Sequence, residues 1–248
     1  MDNKNFHCLQ RDGVIDVKLT KKSKNDIKTA LVVGAHPDDS EVAAAGLMYK
    51  IARDDNYYLA SIICTDGEKS NGIGNSNCRV DEANKAAEII GVDEIFFLHF
   101  PDTKLHNYAC DLKDKIDKII KDLDPYMLIT HSTDDNHQDH RIVSKILSIS
   151  GKRVPNIFHF NSPSINTNFT PNYFISLNEA ELFEKINLLE TCFESQLEKP
   201  YGLDMDEIRQ ESILYAKKYC RVNGGYPDPK IFACEPFYAE RIIKNFKE

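Results

Sequence analysis

A chain of 248 residues, 42% hydrophobic and 28% charged, can bury one sizeable core, is too short for two full domains, and lacks the composition of a disordered chain. Its formal charge of −8 and pI near 5.5, with no dense basic block beyond Lys21-Lys22-Ser23-Lys24, exclude a general nucleic-acid binder, because phosphate neutralisation needs a basic face. Seven scattered cysteines without a C-x-x-C pair exclude a zinc ribbon or thioredoxin-type motif and read as unpaired thiols.

Residues 1–28 form an extension in which Val14-Ile15-Asp16-Val17-Lys18-Leu19 alternates like an edge strand. From residue 29 to 248, short apolar runs alternate with helical patterns, which predicts one doubly wound, mostly parallel α/β domain (Rossmann-like) with a C-terminal elaboration. The first clear strand is 30–35, followed by a loop at 36–39 and a helix from Ser40 or Glu41 to about Arg53. A strand at 59–65 leads into a Gly/Ser/Asn-rich loop over 66–78, then a helix ending near Ile90 with Gly91 as its cap. Strand 94–100 closes at Pro101-Asp102, and a helix over 111–123 carries Ile116, Ile119, Ile120 and Leu123 at helical spacing. The fourth strand, 126–130, runs into a polar loop at 131–137, followed by a helix over 139–148 and a fifth strand at 157–160. Beyond it, 173–177 reads as a strand, 179–195 and 206–220 as helices, and the last thirty residues as an extended piece and a short helix.

In open α/β sheets, ligands bind beyond the carboxyl ends of the strands. The two densest clusters of metal-capable side chains fall there: His36, Asp38 and Asp39 after the first strand, and His137, Asp139 and His140 after the fourth. A catalytic zinc takes three protein ligands and keeps one position for water, a set that His36, Asp39 and His140 supply. Such a donor set also suits Fe(II) or Co(II). Asp38 is then left as a general base, His137 as the group that stabilises the oxyanion or protonates the leaving amine, and Asp139 as the carboxylate holding His137 cationic. The competing structural readings are ordinary ones. Asp38 or Asp39 would cap the following helix, and Glu41 would be a first-turn acid complementing the helix dipole.

The run Ala35-His36-Pro37-Asp38-Asp39-Ser40-Glu41 resembles the A-H-P-D-D-x-E signature of the PIG-L/LmbE-like N-deacetylases, and His137-Gln138-Asp139-His140 resembles their H-P-D-H element. Ser70-Asn71-Gly72, Arg79-x-x-Glu82, Phe100-Pro101-Asp102 and the closing Ala233-Cys234-Glu235-Pro236-Phe237 extend the likeness, which is firm over about residues 31–149. The resemblance implies zinc ligands at His36, Asp39 and His140, a base at Asp38, an oxyanion-stabilising His137, and substrate contacts from Arg79 and Asp102. It also implies removal of an N-acetyl group from an amino sugar such as an N-acetylglucosaminyl conjugate, glycolipid or sugar nucleotide. Gln138 replaces the usual proline, and Lys104 departs from the usual Asp-x-Gly turn, so the substrate does not transfer with the motif.

Two other readings remain at this stage: an amidase cleaving another acyl amide at the same metal, and a non-catalytic sugar- or nucleotide-binding relative. The second lacks both the G-x-G-x-x-G and the G-x-x-x-x-G-K-[ST] motifs. No apolar signal region or membrane-length run is present, so the expectation is a cytoplasmic protein with a small-molecule N-acetylated sugar as partner, no nucleic acid and no integral membrane segment. A homo-oligomer is compatible with the apolar C-terminal third.

Overall fold

The protein is described by a computed structural model over residues 7–11, 13–20, 22, 27–70, 76–199, 202–222 and 226–243. The elements run β1 (His7–Arg11), β2 (Val14–Lys18), β3 (Lys28–Gly34), α1 (Asp39–Ala52), β4 (Tyr57–Thr65), α2 (Ser76–Ile90), β5 (Glu94–Phe100), a 3-10 turn (Leu105–Tyr108) and α3 (Ala109–Leu123). They continue with β6 (Met127–His131), α4 (Gln138–Ser150), β7 (Asn156–Phe160), β8 (Tyr173–Leu177), α5 (Glu179–Cys192), α6 (Glu194–Leu197), α7 (Met205–Tyr219), β9 (Arg221–Val222), β10 (Tyr226–Pro227) and β11 (Ala233–Arg241).

A strand covered by helices on both faces must be apolar on both. Strand β3 meets that requirement: Ala30 and Val32 join one core cluster, with Met48 of α1 and Ala86 of α2, while Leu31 and Val33 join another, with Leu112 of α3 and Val143 of α4. The resulting sheet has the order β1-β2-β5-β4-β3-β6-β7-β11-β8. Its five central strands, β5-β4-β3-β6-β7, are parallel, and antiparallel strands extend both edges. The chain is therefore doubly wound. Strand β2 pairs with the β5 edge, placing Ile15 opposite Phe97 and Val17 opposite Ile95.

Successive strands step outward from β3 to β4 to β5, and the chain then returns to the other side of β3 as β6. This reversal is a topological switch point, where loops leaving adjacent strands separate and open a crevice. The loops after β3 and β6 are the ones that carry the two His/Asp clusters.

Two sequence expectations need correction. Residues 179–195 do not form one helix. Phe193 leaves the helical conformation, buries its ring completely, and divides α5 from α6. The last thirty residues contain no helix among the described ones; β11 lies there between β7 and β8. Its first five residues, Ala233–Phe237, are all buried, so tertiary pairing decides this segment and local pattern does not.

Candidate metal centre and active-site cleft

Asp38 takes a positive φ of 105° at the junction of loop and helix α1, and its side chain makes no cap bond. The cap reading of this residue is thereby removed. Asp39 opens the helix, and its Oδ2 accepts the His36 N–H at 2.7 Å, which folds the loop back on itself. This tight turn points His36 and Asp39 the same way. His36 Nδ1 lies 3.3 Å from Asp39 Oδ2, His140 Nε2 lies 3.3 Å from Asp39 Oδ1, and the two imidazole nitrogens are 3.3 Å apart.

Those separations test the fit of a metal. A tetrahedral ion with bonds of about 2.0–2.1 Å holds its donors roughly 3.3–3.4 Å apart. His36 Nδ1 and His140 Nε2 stand at that spacing from each other, and each stands at it from one oxygen of the Asp39 carboxylate, His36 from Oδ2 and His140 from Oδ1. Further metal-capable groups lie close by: the triples His36/His137/His140, Asp39/His131/His140 and His36/Asp102/Asp139 each fall within 4.8 Å, the last of them around His36 Nε2 and not Nδ1. His36, Asp39 and His140 fit a divalent ion of the zinc type.

The surroundings prepare this set. Burial disfavours charge on His36 and His140, but the carboxylates outweigh it: Asp39, Asp102 and Asp139 raise His36 well above its usual range, and Asp39 with Asp135 pushes His140 up to about 9. Burial likewise works against Asp39, yet His140, His131 and His36 hold it well below the ordinary carboxylate range. Asp135 Oδ2 sits 2.9 Å from His140 Nδ1 and is itself fixed by Ser162, Ser164 and the His137 N–H. This fixes the ring orientation and leaves Nε2 toward the other donors. Behind Asp39, His131 stacks on His140 with ring centroids 3.8 Å apart and brings Nε2 within 3.1 Å of Asp39 Oδ2. Burial and the neighbouring His140 push His131 down to about 4, so it remains neutral.

Sequence reasoning missed both His131 and Asp135. His131 carried a usable signal, because it closes an apolar strand at the same end of the sheet as His36. Asp135 carried none, since nothing in the polar run around it distinguishes it from Asp134.

Asp38 stands beside the donor set and faces Arg79, with Nη2 3.0 Å from Oδ2. Burial raises its pKa, and Arg79 restrains that rise. The Arg79 guanidinium also donates to Pro37 O and, at 3.3 Å, to Gly67 O. Expected as a substrate contact, Arg79 lines the cleft and is 7% exposed; its two terminal nitrogens meet protein groups, whereas its Nε has no hydrogen-bond partner. Asp102 Oδ1 lies 3.1 Å from His36 Nε2, and its Oδ2 accepts the Lys69 N–H at 2.9 Å. The approach to Nε2 is oblique and meets no hydrogen-bond geometry, so the contact is electrostatic.

Asp139 departs from expectation. Its carboxylate accepts the Thr103 N–H at 2.7 Å and the Leu105 N–H at 3.3 Å, and lies 3.5 Å from His36 Nε2. It makes no bond to His137, because residues two apart at the start of a helix do not face each other. His137 is accordingly not held cationic. Burial, reinforced by His36 and His140, lowers its pKa, and its Nδ1 has no partner. The ring stands 4.8 Å from that of His36 and 4.4 Å from that of His140. Together with Asp38, Arg79, Asp102 and Lys199, these groups line a cleft of about 310 Å³.

The arrangement defines an α/β protein that gathers two histidines and a carboxylate, a set that could hold a divalent metal ion, at a topological switch point. Residues 31–149 match the family described as PIG-L: GlcNAc-PI de-N-acetylase. The chain is 30% identical over 183 residues to the uncharacterized deacetylase YaiS of Escherichia coli K12, covering 72% of this chain and 97% of that protein. It is 28% identical over 178 residues to the diacetylchitobiose deacetylase of Thermococcus kodakarensis, covering 62% and 66% of the two chains. The chain belongs to the PIG-L family, whose named relatives are deacetylases. The fold by itself does not select that reaction. GalB, the 4-carboxy-2-hydroxymuconate hydratase of Pseudomonas putida KT2440, shares it at a TM-score of 0.71 and 18% identity, over 89% of this chain and all of that one. Among the described residues, no helix is long and apolar enough to cross a membrane.

Proposed function

We propose that this chain is a zinc-dependent N-deacetylase that hydrolyses the N-acetyl amide of an amino-sugar conjugate. The observation that carries the reading is the His36/Asp39/His140 set, in which the two imidazole nitrogens lie 3.3 Å apart and each lies 3.3 Å from an Asp39 carboxylate oxygen, with a buried Asp38 beside it whose side chain caps no helix. The family description and the diacetylchitobiose relative support an acetylated sugar. When bound, zinc polarises a carbonyl oxygen and lowers the pKa of water to about 7.

The chain's own residues do the rest. Asp38, whose pKa burial has raised, takes a proton from the attacking water and delivers it to the amide nitrogen as the C–N bond breaks. Arg79 keeps that carboxylate aimed while allowing both protonation states. Burial lowers the His137 pKa, which favours the neutral ring, and the side chain lines the cleft. It donates a hydrogen bond to the carbonyl oxygen as negative charge develops there. Acetate and a free amine leave.

Acetate release from N-acetylglucosamine conjugates, with and without chelator, tests the reading alongside a panel of non-sugar acyl amides. Asp38→Asn should lower kcat by about 10²–10⁴. A fall of less than about tenfold would remove Asp38 from the mechanism, and faster turnover of the non-sugar amides would replace the sugar reading with a broader amidase.

A further inference from the structure

Between Asp102 and the 3-10 turn, the loop leaving β5 passes through Thr103 at φ 64°. A β-branched residue is strained in this left-handed region, and such strain persists only where neighbours over-determine it. Here the neighbours are two consecutive side chains from the first turn of α4. Asp139 Oδ2 accepts the Thr103 N–H at 2.7 Å, and Gln138 Nε2 donates to the Thr103 carbonyl at 2.8 Å. Asp139 Oδ1 also accepts the Leu105 N–H at 3.3 Å, and the Lys104 N–H closes the turn on Pro101 O at 3.2 Å. Both backbone polar groups of Thr103 are thus held from one helix end. Gln138 is exposed and stands where the resembled signature has proline, which has no side-chain donor, so the signature does not supply this bond.

The clamped turn carries Asp102 and meets Asp139, and both carboxylates face one atom. Asp102 Oδ1 lies 3.1 Å and Asp139 Oδ2 3.5 Å from His36 Nε2. The other nitrogen of that ring, Nδ1, lies 3.3 Å from Asp39 Oδ2 and 3.3 Å from His140 Nε2. An imidazole that offers a lone pair at Nδ1 carries its hydrogen on Nε2. His36, Asp102 and Asp139 are all buried, Asp139 completely, so solvent does not compete for that hydrogen. Acceptors placed there fix the tautomer and the ring orientation of a metal-binding histidine. Relaxation of Thr103 to a negative φ would move Asp102, its neighbour in the chain.

We infer that Gln138 and Asp139 clamp the strained Thr103 turn and so position His36 for the metal, with Asp102 and Asp139 facing its Nε2. Both are positioning residues, acting through Thr103 and His36 and not on substrate. The inference rests on the metal-binding part of the proposed function and not on which amide is cleaved.

Zinc affinity of the full chain, measured in competition with a chromophoric chelator, tests the clamp alongside thermal unfolding of the metal-free protein. Asp139→Asn should weaken zinc binding by about 10–100-fold. Gln138→Ala removes only an exposed side chain; it should weaken zinc binding by about three- to tenfold and lower the metal-free midpoint by no more than about 4 °C. Glycine adopts φ 64° without strain, so in a Thr103→Gly background the turn no longer depends on the clamp. There Gln138→Ala should weaken zinc binding by less than about twofold, a rescue that a general loss of stability would not show. Affinities within about twofold of wild type in both single variants, or an equal Gln138→Ala loss with and without Thr103→Gly, would overturn the clamp. Acetate release from the methyl glycoside of N-acetylglucosamine is followed separately. Weakened, glycine-rescued zinc binding without acetate release would keep the clamp and remove the deacetylase reading. A wild type without measurable zinc affinity would remove the metal centre and the clamp together.

Discussion

Glu235 of β11 is 1% exposed and holds three donors: its Oε1 accepts from Gly46 N and Lys185 Nζ, and its Oε2 from Leu47 N, each at 2.8 Å. The contact brings a strand from the end of the chain onto the middle of α1, whose first residue is Asp39. Gly46 permits the approach, since a Cβ there would lie 2.6 Å from Leu177 Cδ2 and 3.1 Å from the Glu235 carboxyl. Replacing Glu235 with alanine leaves Lys185, itself 2% exposed, as a buried ammonium without a counter-ion. Breaking a buried pair in this way costs about 3–5 kcal/mol. The two lost amide contacts add about 1 kcal/mol each. The sum, roughly 5–7 kcal/mol, is comparable with the whole stability of a domain.

Urea unfolding followed by circular dichroism, at saturating metal, measures the effect. Glu235→Ala should shift the midpoint severely or prevent folding. Glu235→Gln/Lys185→Met, which removes both charges and keeps the volume, should be at least about 2 kcal/mol more stable than Glu235→Ala, because no charge is left stranded. A cost below about 1 kcal/mol for Glu235→Ala, or a double variant as unstable as the single one, would refute the reasoning.

Three further outcomes follow from the same kind of argument. Gly67 has φ +64°, and a Cβ there would overlap the Arg79 guanidinium; Gly67→Ala should cost about 2 kcal/mol and lower kcat more than it changes KM, because Arg79 loses its hold on Asp38. Replacing His131 with glutamine removes the ring behind Asp39 and should weaken metal binding by about 10–100-fold in competition with a chromophoric chelator; unchanged affinity would show that His131 does not hold the ligand. Lys50→Met, which breaks the partly exposed contact with Glu181, should cost less than about 1 kcal/mol at pH 7. Burial opposes that glutamate's charge, but the Lys50 bond outweighs it and lowers the folded-state pKa, so the contribution exists above the ordinary glutamate range and disappears as pH falls through the folded value. A cost that persisted in acid would point to packing by the lysine stem instead.

The parallel core was legible because each central strand is a short apolar run and each helix has a period that differs from it. The meeting of the two His/Asp clusters was legible because acids and imidazoles stood at two strand ends. What escaped the sequence depended on third partners. Phe193 ends α5 by burying its ring, and its identity alone does not announce a break. The 233–241 segment becomes a strand only because β7 and β8 flank it. Asp139 looked like a partner of His137 from their adjacency, whereas the first turn of α4 turns it toward the Thr103 and Leu105 amides. Arg79 was expected to contact substrate, and only the fold shows that it also lies against Asp38.

That last contact bears on how adjacent aspartates come to differ. Asp39 lies in the helix and shares its carboxylate among His36, His131 and His140, which keep it ionised and occupied. Asp38 lies one residue earlier at φ 105°, a conformation that costs a non-glycine residue about 1–2 kcal/mol. A conformer of that cost persists only where the surroundings over-determine it. Arg79 does so from two sides, binding the Asp38 carboxylate and the Pro37 carbonyl that precedes it. With this backbone, the Asp38 carboxylate pairs with the Arg79 guanidinium, while His36 and Lys199 act on it electrostatically. On the proposed reading, burial makes it a better base than a solvent carboxylate. A relaxed backbone at residue 38 would then let the same carboxylate compete for the ion that we propose Asp39 holds.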